Sequence, residues 1–179
     1  RRRERICSGG HGGISKFNRD FLSALCSSPQ SDEVVAIPRL QPSPAGVLPK
    51  KLTYLNDALN SKVKYVWRLL RAVAKNGPFD VVVCGHINLV PIAWLASRLS
   101  HARLVLVIHG IDAWQPTPNR LANRLVARID AFVSVSELTR DRFVAWSRVH
   151  ANRCFLLPNS IDMDLFHPGP KNADLLQKY

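Results

Sequence analysis

Five apolar runs are spaced along the chain, with segments of helical length between them. They are Glu33 to Ile37, Asp80 to Cys84, Arg103 to Ile108, Asp130 to Val135 and Cys154 to Leu157. Each run is continuous rather than alternating, the pattern of a strand covered on both faces. Between them lie helical stripes. Ser15 to Leu25 carries Phe17, Phe21, Leu22 and Leu25, and Lys62 to Lys75 carries Val63, Val66, Trp67, Leu70 and Val73. A 3.6-residue apolar repeat of this kind predicts a face turned to the core. Leu89 to Leu99 is apolar nearly all round and is expected to be well buried. Asn119 to Ile129 carries Leu121, Leu125, Val126 and Ile129, and Glu137 to Val149 follows Ser136, which suits an N-cap. Alternating strands and helices predict an α/β fold, a Rossmann-like parallel sheet with helices on both faces and right-handed crossovers.

Two stretches lack such a pattern. Residues 38 to 52 hold Pro38, Pro42, Pro44, Gly46 and Pro49 and read as a loop without an element of its own. The tail after Pro158 contains Pro168-Gly169-Pro170 and reads as a linker. A doubly wound sheet opens with an apolar strand directly before its first loop, but that place holds only Arg5-Ile6-Cys7-Ser8. The first strand is thus expected to be short and weak or missing, and both ends look like cuts.

Composition narrows the class. The 179 residues carry 46% hydrophobic and 21% charged side chains, which excludes a wholly disordered chain. Roughly 70% of the unfolded surface can be buried at this size. The four cysteines, Cys7, Cys26, Cys84 and Cys154, form no C-x-x-C pair, so no zinc or thioredoxin-type site is expected. Cys84 and Cys154 sit in apolar runs and read as reduced, buried thiols. No apolar stretch reaches the roughly 20 residues of a membrane span, and no secretory h-region follows Arg1-Arg2-Arg3. A cytoplasmic protein, peripheral to the inner membrane, is the expectation.

The formal charge of +12 changes the picture by pointing to an anionic partner. Lys64, Arg68, Arg71 and Lys75 are spaced four, three and four apart and share one helical face. Such a stripe can dock on anionic lipid headgroups. Nucleic acid fits less well, because aromatics are few beside the basic stripes and no RNA-binding signature is present.

Three segments are placed to do chemistry. Gly9-Gly10-His11-Gly12-Gly13-Ile14 leads into a helix, whose unpaired N–H groups and partial positive charge suit a phosphate. The dinucleotide fingerprint and the P-loop both fail in this segment. His109-Gly110-Ile111-Asp112 ends a predicted strand, where open α/β sheets bind ligands. A histidine there can hydrogen-bond or exchange a proton, and Asp112 can orient it or bind a sugar hydroxyl. His86 ends a second strand on the same side. No G-x-S-x-G elbow exists, and glutamate occurs only at positions 4, 33 and 137.

Taken in order, four segments resemble the N-terminal, acceptor-binding domain of family four retaining glycosyltransferases, the two-domain GT-B type. They are Gly12-Gly13-Ile14-Ser15-Lys16-Phe17-Asn18-Arg19, His109 to Asp112, Asp130 to Ser136 with Arg140, and Pro158-Asn159-Ser160-Ile161-Asp162 with Phe166 and Pro168. The last resembles the family's P-N-G-V-D-x-x-x-F-x-P hinge, with Ser160 for glycine. The resemblance implies one half of a GT-B fold over residues 1–165, with 166–179 as a linker toward an absent C-terminal donor-binding domain. It implies that Gly12 and Gly13 cradle the diphosphate of a nucleotide-sugar donor. His109 and Asp112 would act on the transferred sugar, and His86 would face a glycan or lipid-linked acceptor. It implies hexosyl transfer with retention, in polysaccharide biosynthesis, without metal or other cofactor. The family's E-x7-E donor motif does not occur in the sequence, so the chain is expected to be inactive alone. The alternative reading is a non-catalytic Rossmann-like module that binds a phosphorylated metabolite.

Overall fold

The computed structural model describes residues 12–41, 47–161, 163 and 169. Part of the predicted 38–52 loop, the expected weak first strand at 5–8, Gly9 to His11 and most of the 166–179 linker lie outside the described residues.

Five helices and six strands alternate along the described chain. They are α1 (Gly13–Ser27), β1 (Val34–Ala36), β2 (Leu52–Tyr54), α2 (Lys62–Asn76), β3 (Val81–Cys84), α3 (Val90–Ser100), β4 (Arg103–Ile108), α4 (Arg120–Val126), β5 (Ala131–Ser134), α5 (Glu137–Ser147) and β6 (Cys154–Leu156). Strands β3-β4-β5-β6 form one parallel sheet in that order, and β1 pairs with β2, also parallel, in a second. The predicted parallel α/β architecture is therefore present. Strand β2 is an addition: its residues Leu52 to Tyr54 adjoin a proline-rich stretch, and pairing with β1 rather than local propensity makes them a strand.

Alternation along β4 sorts the core into two layers. Leu104, Leu106 and Ile108 point to one face, where they pack with Phe132, Val90, Val126 and Phe143 from β5, α3, α4 and α5. Val105 and Val107 point to the other, where they meet Val133 and the α1 residues Phe17 and Phe21. Helices thus lie on both faces, as expected for a Rossmann-like sheet. Coverage is uneven, however. Val81 and Val83 of β3 and Phe155 of β6 lie 49%, 41% and 65% exposed, so the expectation of full cover on both faces fails at the edge strands. The apolar cluster on that face joins α1 to β4 and β5.

Local signals behave as the chemistry dictates. Ser136 caps α5, its Oγ accepting from Thr139 N at 3.2 Å, and Ser61 caps α2 by accepting from Lys64 N. Two helices depart from expectation. The apolar arc of α2 does not face the core: Val63 and Trp67 are 80% and 65% exposed, while Tyr65 and Ala72 are buried. Likewise α3 is not buried all round, since Leu95 and Leu99 are exposed. Periodicity identifies a helix face but not the direction it points, and tertiary packing chose the Tyr65 side. Of the thiols, Cys84 is buried and Cys154 only half-buried. No helix among the described residues is long and apolar enough to cross a membrane.

Candidate active-site rim

In a parallel sheet all carboxyl ends lie along one rim, so the residues that follow β3, β4 and β5 are brought together by topology. β4 delivers His109 and the following turn, and β3, its neighbour in register (Cys84 with Leu106), delivers His86. The N-terminus of α1 arrives at the same rim. Phe17, one turn into α1, sets its ring edge-to-face against the His109 imidazole, with centroids 4.9 Å apart. That contact packs His109 against α1 one helical turn beyond Gly13. Phe21 stacks behind Phe17 at 5.8 Å, and both rest on Val105, Val107 and Val133.

The turn itself is open. Gly12 occupies the N-cap of α1, so no side chain caps the helix there. The first amides of α1 consequently have no intrahelical acceptor and no side-chain cap. Among the described residues, a Cβ added at Gly12 or Gly13 would meet nothing within 4 Å. Among the described residues, space coincides with N–H groups that have no side-chain cap, which is what an approaching anionic oxygen requires.

The surroundings of His109 favour its neutral form. Burial lowers its pKa below the ordinary histidine value, Asp112 pulls it back up, and His86 pushes it further down. Its Nε2 is buried without a hydrogen-bond partner among the described residues. An orphaned ring nitrogen of this kind is a costly feature unless a ligand completes it. Gly110 follows at φ 149 and ψ −121, a conformation that a residue with a Cβ rarely adopts. It turns the chain into the short 3-10 helix Ile111–Ala113 that carries Asp112.

That turn is anchored from α5. Trp146 Nε1 donates to the Ala113 carbonyl at 2.9 Å, and Trp114 Nε1 donates to Thr139 Oγ1 at 3.3 Å. The Arg142 guanidinium lies 4.2 Å from the centre of the Trp114 ring. These aromatic anchors lie outside the three segments read as placed to do chemistry; the spacing of Trp114 and Trp146 carries no recognisable pattern. His86 is exposed, and its Nδ1 accepts from Asn88 N at 3.1 Å, capping the 3-10 turn Ile87–Leu89. Its tautomer is thereby set with the proton on Nε2. Lys16, in the first turn of α1, donates to the Ser160 carbonyl at 3.3 Å. The segment that resembles a hinge therefore returns across the glycine-turn end of α1. Arg140 lies in α5, 2.7 Å from its neighbour Asp141.

Of the predicted site residues, Gly12, Gly13, His109, Asp112 and His86 thus share one rim. The basic stripe does not: it lies on α2, and Arg68 within it pairs with Asp57 at 2.9 Å.

A family model described as Glycosyltransferase Family 4 matches residues 11–165. The chain belongs to this family. Three crystal structures of Anabaena Alr3699/HepE share its fold, each at 13% identity over 97% of this chain: the complex with UDP-glucose (TM-score 0.62), the complex with UDP (0.61), and the complex with UDP and glucose (0.62). The chain spans 47–48% of the length of those structures. No curated protein matches the sequence. As a family 4 domain the chain is one half of a GT-B fold, and the rim described above lies on that half.

Proposed function

We propose that this domain serves a glycosyltransferase that moves a hexose from a nucleotide-sugar donor to a glycan or lipid-linked acceptor, with retention of anomeric configuration. The observation that carries the reading is the contact of His109 with Phe17, which sets an imidazole whose Nε2 has no hydrogen-bond partner among the described residues one helical turn from Gly13. In this reading the α1 amides at Gly13 and Ile14 donate to the diphosphate, and the helix dipole offsets charge on the leaving group. His109 holds a hydroxyl of the transferred sugar through Nε2. Asp112 keeps that ring oriented, and His86 offers its Nε2 proton toward the acceptor. HepE, with the same fold, was crystallised with UDP-glucose, which supports a nucleotide-sugar donor.

The sequence contains no E-x7-E pair, so these residues hold only one side of the donor. Binding by the 179-residue chain should be weak, in the millimolar range, and turnover absent. Amide and imidazole NMR titrations with UDP- and GDP-hexoses test this directly. Shifts should concentrate at Gly12 to Ser15 and at His109. Shifts confined to other surfaces would remove the site, while micromolar affinity with turnover would refute the half-site reading. The product anomer, read from its proton coupling once transfer is reconstituted in the whole enzyme, decides retention.

A further inference from the structure

Two orphaned polar atoms lie side by side in the chain beyond β1. Arg39 Nη1 and Gln41 Oε1 are buried and have no hydrogen-bond partner among the described residues. Leu40 between them is 69% exposed, whereas Arg39 and Gln41 are half-buried, so the backbone turns both polar side chains inward. The Arg39 carbonyl accepts from Asn60 N at 3.4 Å, and the next residue, Ser61, caps α2. Arg39 is thereby tied to the start of α2, where Tyr65 is buried one turn on. Burial pushes the Tyr65 hydroxyl up to about 12; the Cys84 thiol adds to this and the Arg39 guanidinium opposes it. The hydroxyl is therefore a donor at neutral pH. Cys84 Sγ in turn donates to the His86 carbonyl at 3.2 Å, so this cluster leads to the His86 end of the rim.

The charge on Arg39 is uncompensated. It has no carboxylate partner among the described residues, and Asp57, in the loop before α2, is engaged by Arg68 at 2.9 Å. A half-buried guanidinium with an unused N–H is costly unless an anion meets it. Gln41 narrows the ligand. Its Oε1 only accepts, and an ionised carboxylate or phosphate has no proton to give. A ligand that satisfies both atoms carries an anionic group and a hydroxyl together, which is the chemistry of a charged sugar. We propose that Arg39, Gln41 and Tyr65 form an anion subsite on the acceptor side of the rim, so that the acceptor is a sugar bearing a carboxylate or phosphate that lies on the Arg39 guanidinium while a hydroxyl donates to Gln41 Oε1. The acceptor role rests on the function proposed above; binding of the anionic sugar does not.

The test is an amide NMR titration of the 179-residue chain with glucose 6-phosphate, glucuronate, glucose and inorganic phosphate. Shifts should centre on Arg39, Gln41 and Tyr65. At least one charged sugar should bind about tenfold or more tightly than glucose, the effect of a charge-assisted hydrogen bond. The tighter of the two identifies the anion as phosphate or carboxylate. R39Q should abolish this preference and leave glucose unchanged. Q41L should weaken the sugar phosphate by about threefold to tenfold and leave inorganic phosphate unchanged. K64Q/R71Q/K75Q removes three exposed charges from α2 and should leave binding within about twofold. Urea unfolding establishes that each variant is folded, and the comparison of charged with neutral sugar in the parent needs no variant. Glucose binding as tightly as both charged sugars, a preference that survives in R39Q, or an equal loss in the triple variant overturns the subsite. Donor shifts at Gly12 to Ser15 with none at Arg39 from any of these sugars overturn it too, and leave the donor reading standing.

Discussion

Truncating Phe17 to alanine probes the joint between α1 and the rim. Phe17 is 8% exposed and touches the Phe21 ring, the His109 ring and the valines of β4 and β5. Phe→Ala in a closed core costs about 3–5 kcal/mol. This cluster is small and open at its flanks, where Val83 and Phe155 are exposed, so partial collapse is available and the cost should be about 3 kcal/mol. Phe17→Leu retains most of the apolar volume and loses the ring geometry, at about 1 kcal/mol. Urea unfolding near pH 7.5, where His109 is neutral in both states, isolates these packing terms. The pH dependence then reports on the imidazole. Its folded pKa is lowered, chiefly by burial, below the unfolded value of about 6.5. Between those two values the unfolded chain binds more protons, so stability is full above about pH 6.5 and falls as the solution is acidified. Removing the Phe17 ring admits water to His109, moves its pKa back up and flattens this slope. A Phe17→Ala protein that keeps the parent's acid slope, or loses under about 1 kcal/mol, would refute the claim that this ring buries His109.

The remaining predictions separate fold from site. Gly110→Ala should cost about 1–3 kcal/mol through its backbone conformation alone, whereas Gly13→Ala, which meets no neighbour, should keep the thermal midpoint and lose the nucleotide-sugar shifts at α1. Equal melting of the two variants would contradict the assignment. Ser136→Ala should lower stability by about 1 kcal/mol, read by urea unfolding, because it removes the acceptor for Thr139 N. The Cys84 thiol is pushed up to about 11 by burial and donates to the His86 carbonyl at 3.2 Å, so site-resolved mass spectrometry should find it unalkylated by iodoacetamide at pH 8 while the chain is folded.

Much of the fold was legible in the chain because strands β3 to β6 are continuous apolar runs and their helices carry caps and stripes. Val81 to Cys84, Arg103 to Ile108 and Ala131 to Ser134 sit where the runs predict, and Ser136 caps as its position suggests. One part of the rim was legible for a topological reason: a parallel sheet sends every carboxyl end the same way, so His86 and His109 were expected on one side, and the pairing of β3 with β4 made them neighbours. Other features depended on distant contacts. β2 exists because β1 pairs with it, and the Trp146 bond to Ala113 spans 33 residues. Nothing local announces either one.

Sequence alone determined the class of the domain, the order of its strands and helices, and the side of the sheet on which the loops after β3 and β4 would lie. Direction was left to the tertiary structure. The same stripe that marks α2 as a helix would serve a core-facing or an outward-facing helix equally well, and only packing on Tyr65 and Ala72 turned Val63 and Trp67 to the surface. Hydrophobic periodicity measures angles about a helix axis, whereas burial depends on how that axis is rotated against its neighbours, a quantity set by the whole core at once.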